Sequence, residues 1–134
     1  NIRFYEKAVG DKIEEAFKRI VNNVAAAHRA TTKIFYIKAA LPTVNDPRCA
    51  EIGKKSASKV AGEGNIKAIQ WNASESFSKY GEKYPALFAF LGVGNPAKGM
   101  DYDVHTPEFD IDEDALKTGV ALAIQYTIDF LNAF

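Results

Sequence analysis

The chain opens on an alternation in which Ile2 and Phe4 fall on one face and Asn1, Arg3 and Tyr5 on the other, the period of a half-buried strand. The period then lengthens: Ile13, Phe17, Ile20, Val24 and Ala27 recur at helical spacing, while Lys12, Glu15, Lys18, Arg19 and Asn22 fill a solvated face. Asp11 with Glu14 has the form of a capping box for that helix. Residues 31–40, rich in β-branched and aromatic side chains, predict a second strand, which Pro42 ends. Asp46 as N-cap and Pro47 at the first helical position open a helix that runs to Gly62, a fitting C-cap. Residues 65–71 predict a third strand, and Ser74 caps a short helix through Tyr80 that Pro85 closes off. From 86 to 91 every residue is apolar, the pattern of a strand buried on both faces of a sheet. Asp112 caps the last helix, Glu113 and Asp114 complement its dipole, and from 115 to 131 it is apolar on nearly all sides, as a helix wrapped by more protein would be. The order of elements predicts an α/β fold of parallel or mixed strands, with 86–91 central and the last helix packed across it. There is no internal repeat and no low-complexity segment.

Composition narrows the classes. A chain of 134 residues has room for one ordinary domain or for pieces of two. With 47% hydrophobic and 25% charged residues, it reads as soluble and globular rather than disordered. Lysine plus arginine number 17, as do aspartate plus glutamate, so no net field steers a polyanion and no nucleic-acid partner is expected. No apolar run reaches the roughly 18 residues of a membrane span. The single cysteine, Cys49, excludes an internal disulfide and a cysteine-built metal framework, and reads as a half-buried helix residue. The chain begins with Asn1 inside a predicted strand, so sequence upstream of it is expected, and the expected location is cytoplasmic.

Candidate chemistry concentrates in one stretch, where 86–91 runs into a loop with Gly92, Gly94 and Gly99, presents His105 before Thr106 and Pro107, and enters an acidic helix start. A neutral imidazole is the commonest protein ligand for zinc, and Pro107 stiffens the backbone behind it; the competing reading is a surface histidine hydrogen-bonded to Asp101 or Asp103. The glycines form no phosphate cradle, since Gly92-Val93-Gly94-Asn95-Pro96 lacks the lysine of a P-loop and no helix starts there. His28 is placed near the end of the first helix with no chemistry assigned, and Asn45 reads as turn-forming or capping. Trp71, Tyr80, Tyr84, Phe88 and Phe90 read as core, because no basic residues interleave with them.

The run His105-Thr106-Pro107-Glu108-Phe109-Asp110-Ile111-Asp112-Glu113-Asp114-Ala115-Leu116, with Leu91-Gly92-Val93-Gly94-Asn95 ahead of it and Gly119 after it, resembles the C-terminal signature of the aminoacylase-type metallopeptidases. This is the family of hippurate hydrolase, the N-acyl-amino-acid amidohydrolases and the plant auxin-conjugate hydrolases. Asn1-Ile2-Arg3-Phe4, Pro42-Thr43-Val44-Asn45-Asp46 and Ala73-Ser74-Glu75-Ser76-Phe77-Ser78 match in the same order, so the resemblance covers essentially the whole chain. It departs at Ser76, where family members carry Asp, and it lacks the upstream half that holds most metal ligands and the catalytic glutamates.

The resemblance implies residues 1–41 as the second half of a ferredoxin-like lid and dimerisation domain, and 42–134 as the C-terminal portion of a zinc-peptidase-like α/β catalytic domain. It implies hydrolysis of N-acyl amino acids or small peptides by the intact protein, two divalent ions (zinc or manganese), His105 as a metal ligand, and no catalytic residue in this chain, which alone is expected to be inactive. Asn1 and Arg3 resemble lid residues that reach the substrate, arginine suiting a carboxylate through its planar fork; an exposed strand arginine is the plainer alternative. Glu75 is a candidate substrate or ligand-orienting carboxylate, with a dipole-stabilising role as the alternative. The expected partners are the missing N-terminal half and a second copy in a homo-oligomer. The alternative function is a non-catalytic dimerisation or interaction module derived from the same family.

Overall fold

The computed structural model describes residues 2–37, 40–71 and 73–133, and it divides into two compact units, Asn1–Asn45 with Ile69–Ala86, and Asp46–Ala68 with Leu87–Phe134.

In the first unit, helix α1 spans Lys7–Ala27. It begins before the predicted capping box. Glu6 is its N-cap without a side-chain bond, and Asp11 accepts from Lys7 Nζ at 2.6 Å across one turn, so an i,i+4 ion pair stands where the cap was expected. Phe4 packs back on the helix, where a Cβ on Gly10 would lie 2.5–2.7 Å from its ring, so only glycine lets the two approach so closely. The burial alternation of 2–5 therefore holds without a strand: Ile2 and Phe4 are half-buried, Arg3 and Tyr5 exposed. His28 caps the C-terminus, as its position predicts. Arg29 follows at φ 55°, its amide donating to Ala26 O at 3.0 Å and that of Ala30 to Ala25 O at 2.9 Å, a Schellman closure without the usual glycine.

Of the strand predicted at 31–40, residues 38 and 39 lie outside the described residues, and 31–37 is irregular and runs back along α1. Thr32 Oγ1 donates to Asn22 Oδ1, and Lys18 Nζ lies 5.7 Å from the Tyr36 ring centroid. The unit is completed by a single-turn helix α3, Ser78–Gly81. Ser78 is buried, its hydroxyl accepting from Leu41 N–H at 3.2 Å. Ser74 does not cap α3. Its start is set by a preceding turn in which the Ser78 amide donates to Glu75 O at 3.2 Å.

The second unit is built on α2, Pro47–Ala61, and α4, Asp114–Ala133. Asp46 caps α2 by accepting from the amides of Arg48 at 2.9 Å and Cys49 at 3.0 Å, which holds its carboxyl below the usual range, the Cys49 amide first among the causes. Pro47 occupies N1, and Gly62 at φ 80° ends the helix, all as predicted. Where α2 meets α4, Cys49 and Ser56 are fully buried. Burial pushes the Cys49 thiol up, and burial with the hydrogen-bonded thiol pushes Tyr126 to about 12. Asp129 is the polar knot of the pair, accepting from Ser56 Oγ at 2.7 Å, Lys59 Nζ at 2.7 Å and Gln125 Nε2 at 3.0 Å. These donors, Lys59 foremost, hold its carboxyl low.

The apolar run at 86–91 is not a strand. Leu87 seats on Gly53 of α2 and Leu91 on Gly119 of α4, where added Cβ atoms would come within 2.3 and 2.9 Å of their methyl groups. Phe88 and Phe90 meet edge to face at 5.1 Å. The contact with the last helix is thus as predicted, but the sheet is not: no strand is present among the described residues, and the isolated antiparallel bridge Asn95–Met100 is the β pairing they show. A strand exists through its hydrogen-bonded neighbour. Here 31–37 lies along α1 and 86–91 inserts leucines against helix glycines, so neither pairs with another β-prone segment. The expected α/β class fits only coarsely, as helices joined by irregular apolar segments. Among the described residues, no helix is long and apolar enough to cross a membrane.

Candidate functional site

The loop between 86–91 and α4 is held by its two feet. Asp112 N–H donates to Val93 O at 2.8 Å, and the Asp112 carboxylate accepts from Asn95 Nδ2 at 2.5 Å and Lys98 Nζ at 2.7 Å. The same carboxylate caps α4, accepting from Asp114 N–H at 3.2 Å, the role its position predicts. Lys98 also reaches Asp114 at 3.3 Å, and Lys117 holds Asp114 at 2.9 Å. The Asn95 amide and Lys98 together lower Asp112 to about 2. Its two partners raise Lys98, and Lys117 followed by Lys98 lowers Asp114.

Within the loop, Asn95 and Met100 exchange backbone hydrogen bonds, Asn95 N–H donating at 2.6 Å and Met100 N–H at 3.0 Å. They enclose a turn of 3-10 helix, Pro96–Lys98, that Gly99 ends at φ 74°, a left-handed position for which glycine is suited. A Cβ on Gly94 would sit 3.2 Å from Met100 O, so this glycine too serves the pairing. Beyond it, Thr106 Oγ1 donates to Asp103 O at 2.9 Å. The residue under that turn is His105, exposed and at φ 71°. A non-glycine residue held in the left-handed region carries strain that ordinary loops avoid, and such residues gather at functional sites.

Arg3 and Glu75 lie in the other unit. Both are exposed, and Glu75 Oε1 is engaged locally, accepting from Ser76 N–H at 2.8 Å and Ser76 Oγ at 3.2 Å. Ser76 thus folds the neighbouring carboxylate back on itself. Asn1 lies outside the described residues. Among the described residues, no group of three or more His, Cys, Asp or Glu side chains is arranged to hold a metal ion. A zinc ion takes four ligands, so the donors described here do not make a metal site; His105 offers one imidazole. The part played by Asn95 and Lys98 was not visible in the sequence: both sit in a glycine-rich stretch whose composition says loop, and only the fold brings them to Asp112.

Comparison with known proteins places the chain. It is 30% identical to thermostable carboxypeptidase 2 of Saccharolobus solfataricus over 132 residues, 98% of this chain and 33% of that protein. It is 33% identical to an IAA-amino acid hydrolase of Arabidopsis thaliana over 107 residues, 78% of this chain and 23% of the relative. An uncharacterized hydrolase of Sinorhizobium fredii matches at 28% identity over 90% of this chain and 30% of its own length. No family model matches, and no solved structure matches. These relatives, named as carboxypeptidase, IAA-amino acid hydrolase and uncharacterized hydrolase, fit the chain as a C-terminal part of an amidohydrolase of the aminoacylase type. It spans about a third of the length of the first relatives it matches.

Proposed function

We propose that this chain is part of a metal-dependent amidohydrolase that cleaves the amide bond of N-acyl amino acids or small peptides. The observation that carries the reading is similarity across 98% of the chain to a protein named as a carboxypeptidase, together with a second relative named as an IAA-amino acid hydrolase. Both names denote hydrolysis of an amide next to an amino acid. His105 is the residue of this chain suited to a metal: exposed, on a loop with clasped feet, and held by the backbone rather than by packing. When bound, a pair of zinc or manganese ions would polarise the amide carbonyl and activate water. Arg3, with Asn1, would contact substrate, the guanidinium being suited to the carboxylate of an amino acid, and Glu75 would do so once released from Ser76. In this reading 1–41 is lid and 42–134 catalytic domain, and the intact protein is a homo-oligomer.

The chain alone is expected to be inactive, because its described donors form no metal cluster. The test assays the purified chain, and a longer enzyme containing it, with added zinc or manganese on an acylated amino acid such as hippurate. Turnover only by the longer enzyme, lost with bound metal in His105→Ala, is the expected result; a full metal complement in that variant would overturn the assignment of His105. Absence of turnover in both proteins would favour the non-catalytic module, to which the exposed apolar residues of α4 also speak.

A further inference from the structure

We propose that Asp112 is a positioning residue: it closes the loop that carries His105 by joining Val93, Asn95 and Lys98 to the start of α4, and so holds that histidine in place. The proposal rests on the reading of His105 as a metal ligand for its purpose, but not for its geometry.

A helix cap needs one acceptor, and Asp112 supplies it at 3.2 Å to Asp114 N–H. Serine or asparagine would serve as well. The rest of Asp112 faces the loop: Oδ2 accepts from Asn95 Nδ2, Oδ1 from Lys98 Nζ, and its amide donates to Val93 O. Only a carboxylate has enough acceptor positions to serve helix and loop together.

Beyond the Asn95–Met100 pair, the described residues give the loop little other restraint. Asp101 to His105 and Pro107 to Asp110 are all exposed, so little apolar burial holds them. Its internal bonds are local turns, such as Phe109 N–H to Thr106 O at 3.2 Å and Ile111 N–H to Asp110 Oδ1 at 2.8 Å, each fixing only its neighbours. Joining the feet removes the closure entropy that would otherwise oppose one ordered arrangement. Lys98 extends the clasp to Asp114, and Lys117 pins Asp114 in turn.

Amide hydrogen exchange on the whole chain tests this, comparing the unmodified protein with Asp112→Ser and Lys98→Met. Serine keeps the cap and removes the clasp; Lys98→Met leaves the cap untouched. The expected result is exchange about tenfold faster at the Asn95, Met100 and Phe109 amides in Asp112→Ser, the loss of a charge-assisted bond being worth roughly that factor. A smaller acceleration is expected in Lys98→Met. Faster motion of the His105 ring should accompany both, with α4 protection beyond its first turn unchanged. Unmodified rates at Asn95 and Met100 in both variants, or acceleration confined to Asp114 and Ala115, would reduce Asp112 to a helix cap and end the proposal. Metal retained by His105→Ala in the longer enzyme would instead remove the metal reading and leave the exchange result standing.

Discussion

At the scale of single residues, the most informative feature is a conformation rather than a contact. His105 sits at φ 71°, where a side-chain-bearing residue costs about 1–2 kcal/mol relative to the right-handed region. It is exposed, so little packing compensates. A histidine kept there for chemistry should therefore be dispensable for stability. His105→Gly is expected to leave the unfolding free energy from denaturant titration unchanged or raise it by up to about 1 kcal/mol, the relief of φ strain being offset by the greater freedom of glycine when unfolded. A loss of more than about 1 kcal/mol would show that the imidazole is structural. The sequence already pointed to His105 through its loop, its proline and its family run. It could not reveal the strain, because φ at this position follows from turns closed by Thr106 and Asp103 and not from residue type. Glu75 is the opposite case: its carboxylate was legible as a candidate, but the bonds from Ser76 that turn it back appear only in the fold.

At the scale of elements, helices were legible and strands were not, for a physical reason. The α2 boundaries follow from Asp46, Pro47 and Gly62, which act on their own neighbours. Alternation and apolar runs report only which side chains avoid water; they leave open whether the cover is a sheet or a helix. Within 86–91, Leu87 and Leu91 seat on helix glycines, and this makes a prediction. Gly53→Ala would normally gain up to about 1 kcal/mol in a helix interior, but the new methyl would fall 2.3 Å from Leu87 Cδ2, and overpacking costs roughly 1–3 kcal/mol. The net expectation is destabilisation in urea unfolding, largely removed in the Gly53→Ala, Leu87→Ala double variant relative to Leu87→Ala alone. Equal effects in both backgrounds would show that Leu87 does not seat on Gly53. The start of α4 responds to acid instead. Asp112, held at about 2 against an ordinary 3.8, has a folded value below its unfolded one. Its contribution is therefore complete above pH about 4 and is lost as pH falls through about 2. Asp129, also lowered, adds to the same limb. Helical circular dichroism should fall between those pH values, less steeply in Asp112→Asn, which carries no proton-linked charge; an unchanged acid limb would mean that the clasp does not hold in solution.

At the scale of the whole molecule, what stands out is uncovered apolar surface. Leu116, Val120, Ile124, Ile128 and Leu131 are between 49% and 71% exposed, and their spacing puts them along one stripe of α4. This was legible in part: the sequence marked the helix as apolar nearly all round and so as one that needs a cover. The structure shows that α2 and the 86–91 segment cover one side and leave the other in water. Burying an apolar side chain of this size is worth roughly 1.5–3 kcal/mol, so five of them outweigh much of the cost of association. In a purified solution of this chain alone, the cover available is another copy. The chain is therefore expected to self-associate, its mass rising with concentration in sedimentation, and Ile124→Asp at the middle of the stripe should return it toward the monomer by placing a charge that cannot be buried unpaired. Because Ile124 is exposed, the same variant should keep its helical circular dichroism, which separates lost association from lost folding. A monomer at every concentration before the substitution would show that the stripe is tolerated in water and that the helix needs no partner.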